Sequence, residues 1–86
     1  MEPIIRSMGR NLARLLQNLD YKFNYLRYND DKMAYVIYFE TDQYIERDDL
    51  CEMLSQELIS HGFCLSDLDR YKNNEWYAFV WVRLEE

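Results

Sequence analysis

The 86 residues include only two glycines, one proline, two cysteines and a single histidine, and each scarcity closes off a class of chemistry. Gly9 and Gly62 stand too far apart to form a glycine-rich phosphate loop, and neither belongs to a nucleophile elbow. Two cysteines do not make a disulfide framework, and Cys51 and Cys64 read as reduced thiols. His61 and Cys64 have His-x-x-Cys spacing, but with Cys51 they supply three ligands where structural zinc takes four. His61 therefore reads as a packed or capping residue near a helix end, and both thiols as small buried hydrophobes. Long apolar runs are missing too. No stretch approaches the ~18 residues of a membrane span, and the N-terminus carries neither the apolar core nor the cleavage site of a signal peptide. A cytoplasmic protein with no membrane contact is expected.

Basic charge is also in short supply. Ten Lys and Arg against sixteen Asp and Glu leave a net charge of −6, unevenly spread: residues 1–28 carry +3 and residues 29–86 carry −9. That balance argues against nucleic acid as a partner, because a basic footprint supplies most nonspecific affinity, and it favours a basic protein. Carboxylates are plentiful in Asp30-Asp31, in Asp48-Asp49 with Glu52, and in Asp67 with Asp69. None falls at calcium-loop spacing around a central glycine. So short a chain leaves little room for a cleft in which a carboxylate works as general acid or base. No catalytic residue, metal site or cofactor is expected.

What the chain has in quantity is aromatic surface, with eight tyrosines among 16% aromatic residues. Rings with a polar tip suit half-buried and interface positions. The longest strand-favouring run is Trp76 to Leu84. Side chains alternate across a strand, so Trp76, Ala78, Val80, Val82 and Leu84 share one face while Tyr77, Phe79 and Trp81 share the other. A strand apolar on both sides needs a cover for each.

Before it, Pro3 suits a first helical position, and Ile4, Ile5, Met8, Leu12, Leu15, Leu16 and Leu19 recur at helical spacing within one stripe. Arg6, Arg10 and Arg14 lie opposite. They read either as a basic docking ladder or as an ordinary solvated face. Gly9 at the stripe's edge points to a close backbone approach. Aromatic alternation comes next, with Tyr21, Phe23, Tyr25 and Arg27 on one face and Lys22, Asn24, Leu26 and Tyr28 on the other. An Asn/Asp cluster at residues 29–32 then turns into a second strand, Met33 to Phe39, again apolar on both faces and expected to be central. A second helix should run to about His61, with Asp49 and Glu52 as a capping box and Gly62 as its left-handed terminator. Residues 63–71 have poor periodicity, consistent with a bulge, an edge strand or a loop. Residues 72–75 form a turn leading into the last strand.

The order α-β-β-α-β-β predicts a single α+β domain over residues 1–86, a two-layer sandwich whose four-stranded antiparallel sheet carries both helices on one face. The alternative places one helix on each face. In the first case the rings of Tyr77, Phe79 and Trp81, joined by Tyr35 from the second strand, form a partner-binding face for a second copy or another protein. The same rings suit base stacking in a module for single-stranded RNA or DNA. A second surface is acidic, made by Glu46, Asp48, Asp49, Glu52 and Glu57. It would suit a basic groove in a nucleic-acid-handling enzyme through DNA mimicry, or would simply keep the protein soluble. In size and charge alone the chain is similar to small acidic phage-encoded inhibitors of such enzymes. The expected activity is therefore that of a non-catalytic protein-binding domain, a homodimer that inhibits or modulates a basic partner, with the role of accessory subunit in a larger complex as a further alternative.

Overall fold

Helix α1 (Pro3–Asn18) opens on its proline and closes where the Leu19 amide bonds back to the Leu16 carbonyl. The structure, a computed structural model, describes residues 3–19 and 21–83, with side chains from Arg6 onward. Asp20, Leu84, Glu85 and Glu86 lie outside the described residues, as do the side chains of Ile4 and Ile5. Leu12, Leu15 and Leu16 are buried, Met8 and Leu19 partly so, and Arg6, Arg10 and Arg14 face outward. One helical stripe thus goes into the core and the arginine side remains solvated.

Strands β1 (Lys22–Asn29) and β2 (Ala34–Glu40) form the expected hairpin. Asn29 Oδ1 accepts the Lys32 amide at 3.1 Å, and Met33 takes a left-handed φ of 54° to complete the turn. Helix α2 (Arg47–Ser60) buries Leu50, Leu54 and Leu58. The expected capping box does not form. Glu46 is the N-cap and makes no side-chain cap bond, so Asp49 lies already inside the first turn. Acids there still oppose the positive end of the helix dipole. Gly62 ends the helix at φ +89°, a conformation that costs a residue with a Cβ. Its carbonyl also accepts the Arg83 amide at 2.8 Å, tying the start of β3 (Phe63–Lys72) to the end of β4 (Glu75–Val82). Asn73, at φ 53°, makes the last turn.

The sheet is antiparallel in the order β1-β2-β4-β3. Tyr35, Ile37 and Phe39 from β2 and Trp76, Ala78 and Val80 from β4 meet the leucines of both helices in one core cluster. Both helices therefore cover the same face, and the fold is the two-layer α+β sandwich that the element order predicts. Each large apolar side chain so buried stabilises by about 1.5–3 kcal/mol. Gly9 does mark a close approach, but to a ring and not to a backbone: a Cβ there would stand 3.2 Å from Tyr35 Cε1.

Two arginines bind the α2 layer to the sheet. Arg47 Nε donates to the Leu68 carbonyl at 2.6 Å and lies 3.5 Å from Asp69 Oδ1. Arg70 turns inward, with its guanidinium 4.2 Å from the Trp76 ring and 4.7 Å from the Tyr44 ring. Among the described residues no helix is long and apolar enough to cross a membrane.

Candidate interaction face

With both helices on one side, the other face of the sheet is open, and strand register sorts its residues into rows. Arg27, Val36, Phe79 and Asp67 stand side by side across β1, β2, β4 and β3. The next row is Tyr25, Tyr38, Tyr77 and Asp69, and beyond it stand Lys22, Glu40, Glu75 and Lys72. On the other side of the Phe79 row, Asn29 pairs with Ala34 and Cys64 with Trp81.

Bulges produce this alignment. The register of β1 shifts between Phe23 and Tyr25, so Phe23, Leu26 and Tyr28 pack against the core while Lys22, Tyr25 and Arg27 point out. The unbroken alternation expected for β1 is thereby overturned: an extra residue in one strand reverses the facing of the residues beyond it. In β3 a shift between Leu65 and Asp67 does the same, so Leu65 and Leu68 both face the core while Cys64, Asp67 and Asp69 line the open side. The ambiguous period of this segment reflects an edge strand carrying two such irregularities.

The rings form a connected row. Tyr25 meets Tyr38 edge-on at 5.4 Å, Tyr38 meets Tyr77 at 6.1 Å, and Tyr77 meets Phe79 edge-on at 6.5 Å. Lys32 reaches back from the β1–β2 turn to place Nζ 5.3 Å from the Phe79 centroid. Trp81, Tyr25 and Tyr38 are 45%, 41% and 38% exposed, whereas Ala34 and Val36 are buried between their larger neighbours even on this side. The resulting dip is a cleft of about 330 Å³ walled by Asp31, Lys32, Ala34, Asp67, Phe79 and Trp81.

Of the four ring residues expected here, Tyr77, Phe79 and Trp81 are present and Tyr35 is not. Tyr35 is 2% exposed, faces the helices and packs edge-on against Tyr28 at 5.1 Å. Strand parity places it with Ile37 and Phe39, and the even-numbered Tyr38 takes its place outside. Burial holds the phenols of Tyr35 and Tyr21 above their ordinary value. Sequence reasoning misses Tyr25 and Tyr38, although the alternation of β2 already sets Tyr38 apart from its core-facing neighbours.

Cys64 is not a core thiol, since it stands partly exposed beside Trp81 on the open face. Cys51 is half-buried against the core with Ser55 Oγ 4.0 Å away. His61 is exposed and serves as the C-cap of α2, with Nδ1 3.0 Å from the Glu57 carbonyl oxygen and 3.0 Å from Ser60 Oγ. Among the described residues no three His, Cys, Asp or Glu side chains converge on a common point.

The acidic residues Glu46, Asp48, Asp49, Glu52 and Glu57 are all exposed. They do not form one patch. At about 100° per residue, Asp48, Asp49 and Glu52 cluster on the outer side of the first turns of α2, while Glu57 lies round the helix beyond Met53. Exposed Met53 and Ile59 interrupt the charge, and Glu46 accepts the Tyr44 hydroxyl at 3.0 Å. Arg6, Arg10 and Arg14 make no ion pair among the described residues. Comparison with protein-family models, curated proteins and solved structures finds no match to this chain.

Proposed function

We propose that this chain is a non-catalytic, cytoplasmic protein-binding domain that acts as a homodimer, two copies meeting through their open sheet faces. The observation that carries this reading is the connected row of rings on a sheet face that neither helix covers. Apolar area on that scale favours a covering surface, and a small domain gains stability by burying it. Four strands about 4.8 Å apart and four rows about 6.8 Å apart span roughly 500 Å² in projection, so a pair buries on the order of 1,000 Å² or more, the threshold for a specific interface. Stacking also leaves both α2 helices pointing outward. Their acidic first turns then face a basic, nucleic-acid-handling partner, which the dimer inhibits or modulates by presenting carboxylates where phosphates would sit.

Sedimentation equilibrium at micromolar concentration tests the dimer. Wild type should sediment as two chains, and Trp81→Ala as one with an unchanged circular dichroism spectrum. A wild-type monomer at all accessible concentrations overturns the proposal. The same rings and the neighbouring Lys22, Arg27 and Lys32 favour a second reading, stacking of a single-stranded nucleic acid. Asp67, Asp69, Glu40 and Glu75 repel phosphate from that face. A monomer that shifts a labelled single-stranded RNA would establish the second reading over the first.

A further inference from the structure

We infer that the two-fold axis of the pair runs along the strands, so that Arg27 of each copy faces Asp67 of the other; this rests on the dimer proposed above. Arg27 and Asp67 are both exposed, both on the open face, and at opposite ends of one row. Neither makes an ion pair among the described residues. Three strand spacings, about 14 Å, keep them from meeting within one chain. A rotation of 180° about an axis parallel to the strands brings β1 of one copy over β3 of the other and β2 over β4. The two unpaired charges then become direct opposites, twice over, across a gap of about 10 Å that the two side chains can span between them.

Side-chain size obeys the same operation. Trp81 comes to lie over the partner copy's β2 at Ala34, the smallest residue of the face and a wall of the 330 Å³ cleft. Phe79 comes over Val36, and Tyr77 over Tyr38. Large thus meets small in two of these three pairs, Trp81 with Ala34 and Phe79 with Val36, as interdigitating sheets require. Lys32 walls that cleft from the side of the β1–β2 turn, its Nζ over the Phe79 ring. At the far end Lys22, Glu40, Glu75 and Lys72 meet like against like. They form a polar rim in which Lys22–Glu40 and Lys72–Glu75 are already paired within each chain at 3.4 and 4.0 Å.

An axis at right angles to the strands does worse on each count. It sets Asp67 over Asp69 and aims Trp81 at Glu75. Edge-to-edge pairing is opposed as well, because both edge strands, β1 and β3, carry register breaks that interrupt an added ladder.

Charge exchange reads the axis directly. R27D and D67R are prepared singly, mixed one to one, and combined in one chain, and association is tracked by sedimentation with circular dichroism as the check on folding. Each single variant should self-associate at least tenfold more weakly than wild type, because both of its cross-copy pairs become like-charged. The mixture should form heterodimers, and the double variant should regain homodimers, since both arrangements restore opposite charges at both contacts. Ala34→Trp should abolish association by setting two indoles against each other. A wild-type dimer that the single variants leave unchanged, or that the double variant fails to restore, overturns the axis while the dimer stands. A wild-type monomer overturns both.

Discussion

The guanidinium of Arg70 lies between two rings, 4.2 Å from the centroid of Trp76 and 4.7 Å from that of Tyr44, while its nitrogens donate to the carbonyls of Ile45 and Asn73. One cation thus ties the β2–α2 connection to the β3–β4 hairpin. Trp76 holds the same connection from its other end, its indole N–H donating to Thr41 Oγ1 at 3.3 Å.

Arg70→Ala should therefore destabilise by about 2–3 kcal/mol, the sum of lost cation–π contact and carbonyl hydrogen bonds. For a domain of this size that lowers the melting temperature by roughly 10–20 °C. Thermal denaturation monitored by circular dichroism measures it. Arg70→Lys should recover only part of the loss, because an ammonium lacks the planar fork that meets two rings and two carbonyls together.

Gly9→Ala should destabilise even though alanine is the better helix former by about 1 kcal/mol. The added methyl would press on Tyr35 Cε1 at 3.2 Å, and that ring is buried and braced by Tyr28. In a Tyr35→Leu background the same change should turn neutral or stabilising. Urea denaturation of the four proteins forms a double-mutant cycle that isolates this contact.

Alkaline pH should destabilise the protein through the phenols of Tyr35 and Tyr21. Burial is the main cause holding Tyr35 above 10.0, with the Tyr28 phenol adding to it and a hydrogen bond with the Gly9 backbone opposing it; burial raises Tyr21 as well. A raised folded value means that stability is fully present below the ordinary phenol value and is lost as pH rises from there through the folded value. Tyr35→Phe should flatten that decline above about pH 10, where a free phenol titrates, in denaturant midpoints compared between pH 8 and pH 11.

Iodide should separate the two indoles. Trp76 is 1% exposed and Trp81 45% exposed. A dilute solution should show one quenchable and one protected component, and Trp81→Phe should leave only the protected one. At concentrations where the chain is dimeric the quenchable component should disappear. Quenching that ignores concentration would count against sheet-to-sheet pairing.

Binding of an arginine-rich peptide should report on the acidic side of α2. Affinity should fall steeply between about 50 and 200 mM salt, where screening shortens the reach of exposed charges. Asp48→Lys with Glu52→Lys should abolish binding, and Trp81→Ala should leave it unchanged, since that ring belongs to the other layer. Isothermal titration at two salt concentrations checks each point.

Much of the architecture was legible in the chain because local physics dictates it. The leucine spacing of α1, the two-sided apolar strands and the glycine that closes α2 each record a constraint satisfied within a few residues. The facing of β1 was not legible, because a bulge at Asn24 saves Tyr25 for the open side and only pairing with β2 reveals it. Asp49 and Glu52 have the spacing of a capping box, but the helix starts at Arg47, two residues before Asp49, where Arg47 also reaches the Leu68 carbonyl 21 residues away.

The alternation of Trp76 to Val82 determined by itself that Tyr77, Phe79 and Trp81 share one side, because strand geometry permits nothing else. Which side the helices would cover was decided only by the tertiary structure, where the leucines of both helices find Trp76, Ala78 and Val80 in a single core. The placing of Arg27 and Asp67 in one row was likewise a tertiary result. It depends on two bulges and three strand pairings, and no local pattern in the chain records how strands align.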